Sequence, residues 1–299
     1  MTLPLYSSLK EIDRLTSKFR EGIIQPDGSR VLKHEHIEYQ EMIHFDLPNL
    51  DYDVLFELPR FLVRTTIFPS GARYGNADQP HFLTWMAEIC NYKWDFKFQD
   101  KRFRHLFDLL VSSHLADVSS LPSSLNYYLV MFLNSFHTFA ACFTFPFLER
   151  CIRMKCYKFV RDDGFVLEDF DIPRYGRGTR PYRRGQYISN ISDELKLLAF
   201  YVAMPEFRAR LDRFMDELNE DSWIRLDDPY ELIGRWRNTL LHGEHVWSSG
   251  WDAATYLVCM ILLSEIGRKN YELIKNDIKQ LVKWKQKTAS PFLWYPYTI

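Results

Sequence analysis

Residues 228–243 read DPYELIGRWRNTLLHG, and this stretch decides the fold of the C-terminal half. Asp228 and Pro229 predict a helix start, because aspartate caps free amides and proline suits the first helical position. Gly243 follows where glycine is favoured just past a helix end. Apolar residues between them recur at the spacing of one helix face: Leu232, Ile233, Trp236 and Leu240. The stretch therefore predicts an amphipathic helix that turns one face into a core.

The other side of this predicted helix is polar. At about 100° per residue, a narrow arc opposite the apolar stripe holds Glu231, Arg235, Asn238 and His242. Arg237 falls on the flank, where a guanidinium is costly unless it is paired or lies at an interface. The polar arc is typical of a solvated face with an ordinary ion pair. It is also typical of a phosphate-handling site, because a guanidinium is a donor fork for phosphate and imidazole chemistry works near neutrality.

The composition is that of a folded protein without a global electrostatic field. The chain has 299 residues, of which 46% are hydrophobic and 26% are charged. Its 16% aromatic residues and only 12 glycines argue against a turn-rich all-β fold. The net charge is −1, so a polyanionic partner would have to be held by a local patch.

One such patch is predicted in a non-periodic insert at residues 161–190. No acid occurs between Pro173 and Ser192, whereas five arginines do: Arg174, Arg177, Arg180, Arg183 and Arg184. Glycine and tyrosine alternate with these arginines, as in flexible segments that bind single-stranded nucleic acid. We therefore predict RNA binding by these arginines, together with Arg235. The alternative is an exposed loop whose charge serves solubility.

The chain is expected to be mainly α-helical. A Ser-rich break around Pro122 separates an N-terminal region, 1–120, mixed and mostly helical and of unknown role, from an α-bundle at 121–290. Residues 291–299 form a C-terminal tail. Within the N-terminal region, His81–Trp94 and Phe103–Leu115 have helical periodicity. Phe61–Phe68 is flanked by prolines and is expected to form at most a short strand.

A cytoplasmic protein without cofactors is expected. The stretch Asn126–Leu148 has no formally charged residue, but its polar residues and Pro146 favour a buried, kinked helix over a membrane span. Residues 1–20 lack the apolar segment of a secretory signal. The five cysteines are an odd number without metal-ligand spacing, so reduced thiols and no metal site are expected.

The motif Arg237-Asn238-x3-His242 resembles the Arg-x4–6-His signature of the HEPN superfamily, in the form where a polar residue follows the arginine. A glycine also follows the motif in many members, as Gly243 does here. The motif likewise lies on the penultimate long helix of an all-α bundle, which resembles the layout in that family. The resemblance covers residues 120–290. Trp236 departs from it, because a basic residue often precedes the arginine in that family.

The resemblance implies a metal-independent endoribonuclease, such as a toxin or an antiviral defence effector, that works as a homodimer with the two motif helices across a shared cleft. His242 would act as general acid or base, Arg237 would hold the scissile phosphate, and Asn238 would orient the site. The products would be a 2′,3′-cyclic phosphate and a 5′-hydroxyl. An inhibitor or sensor protein is a further partner of such effectors.

Dimerisation would also explain the flank position of Arg237, which could point across a two-fold axis. Two other interpretations stay open. One is a non-catalytic HEPN-type dimer that binds RNA, a nucleotide or a protein. The other is an all-α interaction module in which the motif is coincidental.

Overall fold

A computed structural model describes residues 5–8, 10, 23–24, 30–31, 44–67, 78–92, 101–115, 142–176, 178–222, 224–242 and 248–288. The fold is mainly helical, which confirms the predicted class. The Ser-rich break, most of the apolar stretch 126–148 and the tail 291–299 lie outside these ranges. Among the helices so described, none is long and apolar enough to span a membrane.

The described residues in the first part of the chain form four two-residue strands and three helices. The strands are β1 (Leu5–Tyr6), β2 (Ile23–Ile24), β3 (Arg30–Val31) and β4 (His44–Phe45); β1 pairs with β4 in parallel, and β2 with β3 antiparallel. A 3-10 turn at Leu47–Asn49 precedes the helices α1 (Tyr52–Ile67), α2 (Asp78–Asn91) and α3 (Lys101–Leu115).

The described residues in the second part form a hairpin and five helices. These are α4 (142–155), the hairpin strands β5 (Phe170–Arg174) and β6 (Gly178–Tyr182), α5 (Ile191–Leu197), α6 (Pro205–Asp221), α7 (Glu231–Leu241) and α8 (Ser248–Thr288). A π-helical turn, Leu198–Val202, continues α5. Gly267 interrupts α8 with a φ of 72°.

The chain forms two compact units. One comprises Met1–Ser119 with Glu265–Ile299, and the other comprises Ser120–Ser264. The first boundary lies at the Ser-rich break, whereas the second lies inside the region predicted as one bundle, 121–290. The C-terminal half of α8 belongs to the first unit because Tyr271 packs against Tyr52 there and its hydroxyl donates to the carbonyl of Leu50.

The expected strand at Phe61–Phe68 is wrong. Residues up to Ile67 belong to α1, and Pro59 lies inside that helix. The side chains of Leu58, Phe61 and Leu62 are almost completely buried. Burial of this apolar face therefore outweighs the hydrogen bond that the proline removes.

The expectation of a second half without strands is also wrong. The arginine-rich insert contains the β5–β6 hairpin, in which Phe170 pairs with Tyr182 and Ile172 with Arg180. Phe170, Ile172 and Tyr182 are buried, so one face of the hairpin belongs to the core. Prolines and arginines in both strands conceal this alternation from a sequence reading.

Helix α7 is packed closely on two sides. A Cβ at Gly234 would lie 2.3 Å from Oγ of Ser192, at the start of α5, and one at Gly250 would lie 3.1 Å from Cβ of Trp236. Glycine at both positions allows the neighbouring helices to approach. The predicted apolar stripe of α7 is buried as expected. Its polar end is consequently held at a defined place on the second unit.

Candidate functional site

The motif lies on the last turn of α7 and the residue after it. Asn238 and His242 are exposed, as the helical wheel predicts, and so are Glu231 and Arg235. The helix ends at Leu241, with His242 as its C-cap, and the backbone N–H of His242 donates to the carbonyl of Asn238 at 3.0 Å. At the other end, the Asp228 carboxylate accepts the N–H of Tyr230 at 3.1 Å, so it caps the turn before Glu231. Gly243 lies outside the described residues.

Arg237 is paired within its own chain. Its Nε lies 2.8 Å from Oε1 of Glu149 on α4, in a close ion pair whose N–H is not aligned as a hydrogen bond. Its Nη1 donates to Oδ1 of Asn238 at 3.2 Å. The guanidinium on the flank of α7 therefore has an ionic partner in the same chain, and no second chain is needed to pair it. The position of Arg237 therefore does not require a dimer, and the dimer itself stays a prediction.

Glu149 belongs to a larger ionic cluster. Its Oε2 lies 3.7 Å from Nη2 of Arg153, one helical turn later on α4. Arg153 donates from Nε and Nη2 to Oε1 of Glu194 on α5, at 2.9 and 2.6 Å. Its Nη1 donates to the carbonyl of Asp162 at 3.1 Å, at the start of the insert. Arg153 therefore ties α4, α5 and the insert together beneath the motif helix.

Three buried ionisable residues in the first two turns of α5 each contact a different neighbouring element. Asp193 accepts from Arg180 and Tyr182 of the hairpin at 3.0 and 2.7 Å. Glu194 accepts from Arg153, and Lys196 forms a buried ion pair with Asp228 ahead of α7. Burial raises the pKa of Glu194 to about 8, against the opposing effect of Arg153. This segment therefore positions the hairpin, α4 and α7 relative to one another.

The hairpin arginines are only partly available. Arg180 pairs with Asp193 and Arg183 pairs with Asp171, at 3.0 and 2.9 Å. The idea of five uncompensated arginines is therefore wrong, because the acids that pair with them lie just outside the acid-free window of the sequence. Arg174 and Arg184 are exposed, as is Tyr175, and Arg177 lies outside the described residues.

The solvent-facing part of the motif combines an imidazole, an amide and one edge of a guanidinium. Among the described residues, Nη2 of Arg237 donates no hydrogen bond. The same residues contain no group of three or more His, Cys, Asp or Glu placed to hold a metal. The arrangement is suited to binding an anion and to moving a proton beside it.

The sequence analysis did not identify Glu149 and Arg153 as residues that support Arg237. Glu149 and Arg153 stand four residues apart at the end of an otherwise apolar segment. Such a charged pair on a buried helix was a usable signal, because buried charges in proteins are paired. The spacing of residues along the sequence does not indicate that Glu149 contacts Arg237 on another helix.

Comparison with protein-family models, curated proteins and solved structures gave no match. The relation to the HEPN superfamily stays a prediction from residues 237–242 and the helical layout.

Proposed function

We propose that this protein is a metal-independent endoribonuclease whose site is formed by Arg237, Asn238 and His242. The observation that supports this proposal is the end of α7, where two exposed polar side chains stand beside a restrained arginine. A fixed guanidinium loses little further freedom when it binds a phosphate, so its attraction acts on the reacting group.

The reaction needs only groups that the RNA and this site supply. The ribose 2′-hydroxyl attacks the adjacent phosphorus, the P–O5′ bond breaks, and a 2′,3′-cyclic phosphate and a 5′-hydroxyl are formed. One imidazole takes the proton of the 2′-hydroxyl, and a second gives a proton to the leaving 5′-oxygen. Arg237 offsets the charge that develops on the non-bridging oxygens through its Nη2 edge.

A homodimer would bring two copies of His242 to one phosphodiester. One copy then acts as the base and the other as the acid, a division of labour that a single imidazole per site does not provide. Such a shared site is part of the proposal.

The exposed arginines are suited to contacting the phosphate backbone of an RNA strand. Arg174, Arg184 and Arg235 are exposed, and we propose that they contact phosphates. Arg180 and Arg183 contribute less, because each already pairs with a carboxylate. Tyr175, exposed at the hairpin turn, is suited to base stacking.

A second candidate is a non-catalytic module that binds RNA, a nucleotide or a protein partner. The ion pair between Arg237 and Glu149 favours it, because a neighbouring carboxylate weakens the attraction of a guanidinium for phosphate. Binding of RNA without turnover is the behaviour that this candidate predicts.

The test is cleavage of a 5′-labelled single-stranded RNA in the presence of EDTA. His242→Ala and Arg237→Ala should each lower the rate by roughly 100-fold or more, since each removes a group used in the transition state. His105→Ala and Arg225→Ala, at exposed positions, are the matched controls and should keep the rate. A substrate with a single 2′-deoxyribose at the cleavage position should resist.

Three results separate the candidates. A cyclic phosphate product that disappears in both motif variants supports the nuclease. Binding of the same RNA without cleavage at any pH supports the non-catalytic module. Cleavage that survives His242→Ala would rule out the proposed site.

A further inference from the structure

A series of contacting acidic and basic side chains leads from the interior of the second unit to the motif. It runs from Glu194 through Arg153 and Glu149 to Arg237, with side chains 1%, 15%, 10% and 25% exposed. Each link joins a different pair of side chains, at 2.6, 3.7 and 2.8 Å. The last link reaches Arg237, whose Nη1 donates a hydrogen bond to the exposed side-chain amide of Asn238.

Glu149 occupies the decisive place in this series. Oε1 lies beside Nε of Arg237, and Oε2 faces Arg153, which is itself held by two hydrogen bonds to Glu194. Arg153 therefore restrains Glu149, and Glu149 in turn restrains Arg237. Nε lies beside the Glu149 carboxylate and Nη1 donates to Asn238, so the orientation of the guanidinium is restricted. Nη2 donates no hydrogen bond and is the nitrogen left for a ligand.

Without this carboxylate the arginine would have another conformation. Arg237 lies on the flank of α7 beside the buried stripe, so an unpaired guanidinium there would turn toward water. The contact with Asn238 alone is a single, long hydrogen bond at 3.2 Å between neighbouring residues, too little to hold a side chain with several rotatable bonds.

We infer that Glu149 is a positioning residue for the motif: it orients Arg237 toward the scissile phosphate. This inference rests on the proposed function. Glu149 does not touch the substrate and acts through Arg237 alone. Its loss should lower kcat and leave KM nearly unchanged, because a misplaced arginine fails in the transition state more than in the ground state.

The test is a double-mutant cycle on RNA cleavage. Glu149→Ala should lower kcat by roughly 10- to 100-fold in the wild-type background. The same change should have little effect in the Arg237→Ala background, because the group through which Glu149 acts is gone. Glu149→Gln keeps an oxygen acceptor at the same place and should recover part of the rate. Glu168→Ala removes an exposed carboxylate of the same unit and is the matched control.

A second readout does not depend on catalysis. The side-chain Nε–H of Arg237, assigned by its loss in Arg237→Lys, should exchange slowly with solvent in the wild type, because Nε is buried beside the Glu149 carboxylate. Exchange should be faster in Glu149→Ala and unchanged in Glu168→Ala. Circular dichroism and thermal melting of every variant establish that it is folded.

The outcomes separate the two ideas. If the wild type cleaves RNA and the losses from Glu149→Ala and Arg237→Ala simply add, Glu149 acts elsewhere and the inference is overturned. If the wild type does not cleave RNA, the proposed function fails. The exchange of the Arg237 Nε–H then decides the positioning role alone, and identical exchange in wild type and Glu149→Ala overturns it.

Discussion

Lys196→Met tests whether the buried pair between α5 and the start of α7 holds the motif helix in place. The side chains of Lys196 and Asp228 are 3% and 7% exposed, and their charged groups are in direct contact. Methionine keeps the length and apolar character of the lysine stem. The variant therefore removes one charge and little volume.

The expected cost follows from the carboxylate left behind. Removing one partner of a buried ion pair costs about 3–5 kcal/mol, because the other charge stays desolvated. Asp228 retains the hydrogen bond from the N–H of Tyr230 at 3.1 Å, which places the cost at the lower end, about 3 kcal/mol. Lys196→Met combined with Asp228→Asn leaves no unpaired charge at this position and should recover most of the loss.

Hydrogen exchange measures this effect locally, which matters because a chain of two units need not unfold in one step. Amides of residues 231–241 should lose roughly 100-fold of their protection in Lys196→Met, the equivalent of about 3 kcal/mol. Lys158→Met, at an exposed position, should change nothing. A loss of less than threefold, or a double variant as unprotected as the single one, would refute the reasoning.

Two further predictions concern the same part of the fold. Gly234→Ala places a Cβ 2.3 Å from Oγ of Ser192 and should destabilise the protein by roughly 1–3 kcal/mol in thermal or urea unfolding, whereas Gly234→Ala with Ser192→Ala should be close to the wild type. Burial raises the pKa of Glu194 from 4.5 to about 8, so the folded state keeps a proton that the unfolded state loses. Stability should accordingly fall as the pH rises from 4.5 to about 8, and Glu194→Gln should flatten this fall; an equally steep fall in that variant would contradict the assignment.

Local patterns predicted a good part of this fold. Helices α2 and α3 lie close to their predicted positions, and α7 buries the stripe that its spacing indicates. These features depend on contacts within a few residues, where period and capping are directly visible. Helix α1 and the hairpin were missed because tertiary burial overrides proline and arginine preferences there.

The candidate site divides in the same way. The sequence by itself determined that Asn238 and His242 share an exposed face, and that Arg237 lies on the flank and needs a partner, since helix geometry fixes these directions. Only the tertiary structure decided that the partner is Glu149, because that contact depends on how α4 packs against α7. The same holds for Arg180 and Asp193, which the folding of the hairpin onto α5 brings together. Charges find their partners in three dimensions, and burial makes those partners obligatory.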